Sequence, residues 1–242
     1  MFLRFLRSAG RELNILTSRK TRVRKAIDCR SEWYGDRGSG FFLFPDLLNK
    51  TAIVYSFGIR QNISFETAII NQHASHVFAF DATRGSILWV EKQVLPPAFN
   101  FHPFGLNKRN GTVNFKIPGN KQLLSARFAN QPFVAERLPI PVSVKSFTDI
   151  TLQFEHKQID ILKIDLDGSE YEVLDSILTS RIEVVQLLIK INEKRFADGK
   201  TRTKKLFASL KEHGYEIFAV SNDMEKLSFI KTKYLLHYNL MQ

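Results

Sequence analysis

The stretch Gln158–Asp175, QIDILKIDLDGSEYEVLD, decides the fold class. It opens on a short apolar run rich in β-branched residues, Ile159 to Ile164, which suits a buried strand. The character then changes within a few positions, where Asp165, Asp167, Gly168, Ser169 and Glu170 crowd together. Beyond Gly168 the period becomes helical, with Tyr171, Leu174, Ile177 and Leu178 on one face. Ser169 or Asp167 is placed to cap that helix, and Glu170 falls in its first turn, where the helix dipole favours a carboxylate. Strand, acidic turn and helix make one unit of an open α/β sheet, in which ligands bind at the carboxyl ends of strands. The same acids also suit a plain solvated, capped turn, so this stretch alone does not establish a site.

Working outward, similar units recur on both sides. Upstream, Ala52–Tyr55 reads as a buried strand closed by Ser56-Phe57-Gly58, and Ser64 caps a helix running to about Asn71. A second strand, His76–Phe80, stops at Asp81 and is followed by a helix over Ser86–Val94 and a strand over Phe99–Leu106. Asn107–Gly111 is a turn with an Asn-Gly signal, returning through Thr112–Ile117 as a hairpin-like strand. Residues 118–141 lack periodicity and read as an irregular loop; Val142–Val144 is a brief strand and Ser146–Phe154 a helix. Downstream, Val184–Ile191 is another buried strand, and Thr203–His213 a helix stopped by Gly214. Tyr215–Val220 and Lys226–Lys231 close the chain as two strands around a tight turn. Alternating strands and helices predict parallel crossovers, and the closing pair predicts an antiparallel edge. The expected architecture is an α/β three-layer sandwich with a mostly parallel twisted sheet and an antiparallel edge strand. Its domain spans residues 33–242 behind a basic extension, 1–32, and opens with turns over Trp33–Gly40.

The 242 residues, 44% of them hydrophobic, are enough for one large core and argue against disorder. One cysteine, Cys29, excludes an intrachain disulfide framework and a cysteine-based zinc cluster, and fits a reducing, cytoplasmic setting. The net charge of +11 invites an anionic partner. Much of that charge is local, in Arg4, Arg7, Arg11, Arg19, Lys20, Arg22, Arg24 and Lys25 and again between Lys194 and Lys205. With no zinc-finger, aromatic RNA-binding or helix-turn-helix pattern beside it, no specific nucleic acid is expected, and a solvated basic face is the simpler reading. The opening residues mix phenylalanine, leucine and arginine at helical spacing, too short and too charged to span a bilayer. They suit a segment packed on the domain, or a peripheral contact with a membrane or other anionic surface.

Three strand ends carry groups suited to a ligand: Gly58, Asp81, and Asp165 with Asp167. Gly58 lets backbone approach closely, and an acid at the second strand end can accept from both hydroxyls of a ribose. The order strand, glycine, helix, strand, aspartate therefore predicts a nucleoside-containing cofactor. Other chemistries fit less well. Gly38-Ser39-Gly40 lacks the nucleophile-elbow frame, and His73 and His76 read as surface or turn residues. Asp165, Asp167 and Glu170 suit a divalent ion, but acids in a turn are common without metal.

Thr51–Glu66, TAIVYSFGIRQNISFE, resembles the first motif of FkbM-type methyltransferases, and Phe78–Thr83 and Lys163–Leu174 resemble two later ones. Phe99–Leu106 with Gly111, and Ser228–Ile230, are similar to the remaining motifs, so the likeness runs from about Tyr34 to Lys231. The resemblance implies a class I, Rossmann-like fold that binds S-adenosylmethionine and methylates an oxygen of a small-molecule or glycan acceptor. It implies cofactor contacts from Ser56, Phe57, Gly58, Asp81 and Ala82, a base at Asp165, and acceptor contacts from Asp167, Lys190 and Asn192. Two departures stand out. Where the family's turn has a second glycine and then acids, this chain has Arg60-Gln61-Asn62, and where a later strand ends in Glu-x-His it has Lys190-Ile191-Asn192. The first sets an arginine beside the cofactor, either to contact its carboxylate or to obstruct the pocket, and the second removes two possible proton acceptors. These departures leave open an alternative, a catalytically impaired domain whose basic faces bind nucleic acid or acidic lipid.

Overall fold

The computed structural model describes residues 21–115 and 140–241. The helix-spaced opening and most of the expected loop over 118–141 lie outside the described residues. In chain order, a short hairpin comes first, β1 (Glu32–Tyr34) and β2 (Phe41–Leu43), with Trp33 opposite Phe42. The first half of the main domain runs β3 (Ile53–Phe57), α1 (Ser64–His73), β4 (His76–Phe80), α2 (Arg84–Val90) and β5 (Phe99–His102). A small sheet follows, made of β6 (Gly105–Leu106), β7 (Gly111–Phe115) and β8 (Ile140–Lys145). The second half runs α3 (Phe147–Gln153), β9 (Gln158–Ile164), α4 (Glu170–Leu178), β10 (Glu183–Lys190), α5 (Gly199–Glu212), β11 (Tyr215–Val220), β12 (Lys226–Lys231) and α6 (Thr232–Met241).

The main sheet has seven strands in the order β11-β12-β10-β9-β3-β4-β5. β10, β9, β3, β4 and β5 are parallel, and β12 is antiparallel to both of its neighbours. The expected α/β sandwich with an antiparallel strand near one edge is therefore present. The order reverses between β3 and β9, so the carboxyl ends of these two strands flank the crevice where open α/β sheets bind ligands.

Both faces of the sheet are covered, which is why its strands read as unbroken apolar runs. Tyr55, Phe57, Leu162 and Ile164 pack with Phe147 of α3, Val173 and Leu174 of α4 and Leu206 and Leu210 of α5. Val54, Val77 and Ile161 pack on the other side with Phe65 and Ile69 of α1 and with Phe41 and Leu43 of the hairpin. The hairpin is pinned by Gln186, whose Oε1 accepts from the Phe44 N–H at 2.9 Å and whose Nε2 donates to the Phe44 carbonyl at 3.0 Å. Upstream of it, the N–H groups of Ala26 and Ile27 donate to the Ile217 carbonyl, so the described end of the basic extension lies against β11. Among the described residues no helix is long and apolar enough to cross a membrane.

Four local readings need correction. Phe99–Leu106 is two strands rather than one, because the Phe104 N–H turns back to the His102 carbonyl. The strand after the Asn-Gly turn pairs with β8, which arrives later in the chain, and makes no hairpin with what precedes it. Trp33 and Tyr34 belong to β1 rather than to a turn; the turn is confined to the loop where Asp36 accepts from the Gly38 and Ser39 N–H groups. Ser64 starts α1 but does not cap it; Ile63 holds that position, and the Ser64 hydroxyl accepts from the Asp36 N–H at 2.9 Å.

Candidate active site

Five parallel strands end along one rim, and the acids and glycine singled out from the sequence stand there. At the end of β3 the chain enters a tight turn, with Gly58 at φ +82° and Arg60 at φ +54°. The Gly58 N–H donates to Phe80 and the Asp165 N–H to Phe57, so the ladder continues to the last residue of each strand. Gly58 is closed on its bare side, since a Cβ there would sit 2.1 Å from the Asp165 carbonyl oxygen.

Asp81, at the end of β4, is 6% exposed and firmly oriented. Its Oδ1 accepts from the Thr83 N–H at 2.9 Å and from the Thr83 hydroxyl at 2.7 Å, while Oδ2 accepts from the Arg60 N–H at 2.8 Å. Thr83 also caps α2 by accepting from the Ser86 N–H, so the acid is fixed to a helix N-terminus. Ala82 lies partly buried between them. The first-strand turn and the second-strand acid are thus joined through the backbone of Arg60.

Asp165, at the end of β9, has a side chain 8% exposed with two cations beside it. Arg60 Nη2 stands 3.3 Å from its Oδ1, and Lys190 Nζ, from the end of β10, stands 3.4 Å from the same oxygen. Arg60 Nη2 also pairs with Asp167, whose backbone is held at φ +54°. Asn192, just past β10, is partly buried, and its carbonyl accepts from the Arg195 N–H. Asp165, Asp167 and Lys190 are therefore one ionic cluster bridged by Arg60.

The turn beneath that cluster is built by Glu170 and not by a cap from Ser169, whose side chain makes no capping bond. Glu170 is buried and folds back so that its carboxylate accepts from the Leu166 N–H at 2.8 Å and the Gly168 N–H at 2.6 Å. Burial raises its pKa to about 7, with nearby Asp165 adding to the effect, against the opposing pull of the backbone donors.

Ser56 and Phe57 point elsewhere. The Ser56 hydroxyl is fully buried on the α1 side, 2.5 Å from Glu66 Oε1 and 3.1 Å from Lys163 Nζ. Phe57 is stacked on Phe80 with ring centroids 4.4 Å apart, inside the core. That stack continues to His102, whose pKa is lowered by burial and then by Lys145.

The buried group Ser56–Glu66–Lys163 was not anticipated. Lys163 is 1% exposed and lies in strand register with Ser56, and its Nζ is 3.2 Å from Glu66 Oε1. A lysine inside an otherwise apolar strand was the available signal, because a buried ammonium needs a partner. Thr83, the orienter of Asp81, carried a weaker one, as a hydroxyl two residues past a strand-end acid.

A family model described as Methyltransferase FkbM domain matches residues 48–217. No curated protein matches the chain. Among solved structures, the chain is similar to a precorrin-6y C5,15-methyltransferase from Geobacter metallireducens, at 10% identity and TM-score 0.38, covering 76% of this chain and 80% of that one. It is also similar to fibrillarin from Aeropyrum pernix, solved with natively bound S-adenosyl-L-methionine, at 10% identity and TM-score 0.36, covering 75% of this chain and 66% of that one. At such scores the likeness is loose and says nothing about ligand or acceptor.

Proposed function

The chain belongs to the FkbM methyltransferase domain family, and from that premise we propose that it is an S-adenosylmethionine-dependent O-methyltransferase acting on a hydroxyl of a small molecule or sugar. S-adenosylmethionine is the methyl donor of that family. The observation that carries the reading for this chain is the state of Asp81. Its Oδ1 takes two donors and its Oδ2 one, so Oδ2 keeps an acceptor position for a ribose hydroxyl while the carboxylate is held rigid. Gly58 and Ala82, each just past the end of β3 or β4, are assigned with Asp81 to the cofactor. Ser56 and Phe57, assigned to the cofactor on resemblance, are reassigned to support the turn from beneath.

When bound, S-adenosylmethionine supplies an electrophilic methyl group on its sulfonium. The protein's part is to place an acceptor oxygen in line and to take its proton. Asp165 is assigned the proton, since it stands at the neighbouring strand end with its side chain almost out of solvent. Lys190, Asp167 and Asn192 are assigned to the acceptor, around the same strand ends. The reading assigns the reaction to the cytoplasm, with Cys29 reduced, and gives the charge of the basic extension to contact with an anionic surface.

Isothermal titration of the full chain with S-adenosylmethionine tests this. Saturable binding, weakened about tenfold or more by Asp81→Asn through loss of a charged acceptor, is expected. A chain that binds neither the cofactor nor its demethylated product is not a methyltransferase.

A further inference from the structure

Arg60 is an unusual residue for its position. It sits at φ +54°, a left-handed conformation that costs a non-glycine residue about 1 kcal/mol or more. Strain of this kind persists where surroundings enforce it, and it gathers at ligand sites. Here the enforcement is visible: the Arg60 N–H is held by Asp81 Oδ2 at 2.8 Å. From that anchor the side chain crosses to the opposite strand end and bridges Asp165 and Asp167. Arg60 therefore lies between the acid assigned to the ribose and the acid assigned to the acceptor.

Neutralising Asp165 does not account for it. Lys190 already stands 3.4 and 3.5 Å from the two Asp165 oxygens, so that nearly buried carboxylate keeps a cation without Arg60. The Arg60 side chain is 51% exposed, and Asp167 is 42% exposed. Ion pairs this open to water are weak and readily exchanged. A guanidinium, by contrast, matches a carboxylate in a two-pronged pair that an ammonium cannot form.

Resting on the methyltransferase reading, we infer that Arg60 is a cofactor-binding residue that recognises the amino-acid carboxylate of S-adenosylmethionine. It gives up Asp165 and Asp167 for that carboxylate, which leaves Asp165 to the acceptor with Lys190 still beside it. The cofactor is then required before the acceptor site is complete.

Decarboxylated S-adenosylmethionine, which keeps the nucleoside and sulfonium but lacks the carboxylate, separates this role from every other. Equilibrium binding of both compounds is measured on the full chain and on Arg60→Met, Arg60→Lys and Arg60→Gly, the first two variants checked for an unchanged thermal midpoint. The wild type is expected to prefer the intact cofactor by about tenfold or more, the scale of one charged hydrogen-bonded pair. Arg60→Met loses that preference while its affinity for the decarboxylated compound stays within about twofold, and Arg60→Lys recovers part of it. If the wild type binds both compounds alike, or Arg60→Met keeps the preference, the assignment is wrong and the methyltransferase reading stands. If only Arg60→Gly binds, Arg60 obstructs the site and the inference is overturned. If no form binds either compound, both readings fall.

Discussion

Gly58 and Asp165 meet backbone to backbone: the Asp165 carbonyl oxygen stands 2.1 Å from the point where a Cβ on Gly58 would project. The contact brings the ends of β3 and β9 together at the place where the strand order reverses. It also changes what Gly58 does, since the absent side chain makes room for a neighbouring strand. Gly58→Ala must push that carbonyl away and adopt φ +82° with a side chain. The expected loss is about 3 kcal/mol, from overpacking and the left-handed penalty together. Urea denaturation measures it, and a loss under about 0.5 kcal/mol would mean that the strand ends separate easily. Variants at Gly58 consequently report on the fold before they report on any cofactor.

The buried Lys163–Glu66 pair offers a cleaner handle on the same turn. It ties β9 to the first turn of α1 from beneath, with Ser56 of β3 as the third member. Glu66 Oε2 is buried with no hydrogen-bond partner among the described residues, so the pair is not ideally satisfied. Breaking it leaves one buried charge alone, and Lys163→Met is expected to cost about 3–5 kcal/mol. Replacing both members, as in Lys163→Met with Glu66→Leu, recovers most of that loss. A double-mutant cycle by chemical denaturation gives the coupling directly; additive effects would show that the two charges do not depend on each other.

Glu170 gives the molecule a pH-dependent stability of known sign. Its folded pKa is raised by burial from 4.5 to about 7. Between those values the unfolded chain has released the proton and the folded chain still holds it, so stability falls as pH rises from 4.5 to about 7. Below that window the contribution is fully present, and above it the loss is complete, on the order of 3 kcal/mol for a shift of this size. Glu170→Gln removes the titration and should flatten that part of the profile, although its amide cannot accept from both the Leu166 and the Gly168 N–H. Thermal midpoints recorded from pH 4 to 8 decide it, and equal slopes in the two proteins would exclude Glu170 as the source.

The strand ends were legible because position along a strand is written in the sequence: an apolar run stops where its residues leave the sheet. Gly58, Asp81 and Asp165 were placed on the rim on that basis. Facing was not legible. In a sheet covered on both sides, alternate residues are equally apolar, so nothing local told Ser56 to point toward α1 or Phe57 toward the core. The reach of Arg60 was hidden for another reason, because its ion pairs join residues more than a hundred positions apart. β7 finds its partner across a long excursion, whereas the Asn-Gly signal reports only the nearest turn. α6 follows β12 directly, with no loop composition to announce it.

The hairpin supplies the last prediction, because it is tied to the middle of β10 at its base and to the rim at its tip. Gln186 is fully buried in β10 and satisfies both the N–H and the carbonyl of Phe44. At the hairpin's tip, Asp36 accepts from Asn62 Nδ2 at 2.6 Å, and the Ser39 hydroxyl donates to Asn62 Oδ1 at 3.1 Å. Asn62 lies in the same turn as Gly58 and Arg60. Gln186→Leu keeps the volume roughly constant but strands two buried backbone groups, at about 1–3 kcal/mol each. Gln186→Glu keeps an acceptor for the Phe44 N–H but, when ionised, turns a buried charge on the Phe44 carbonyl, so at neutral pH it should cost at least as much as the leucine change. If the hairpin is a prop for the turn, hydrogen exchange will quicken at Tyr34 and Phe41–Phe44 and also at Asn62. Faster exchange in the hairpin with Asn62 unchanged would show that the hairpin comes away without disturbing the rim.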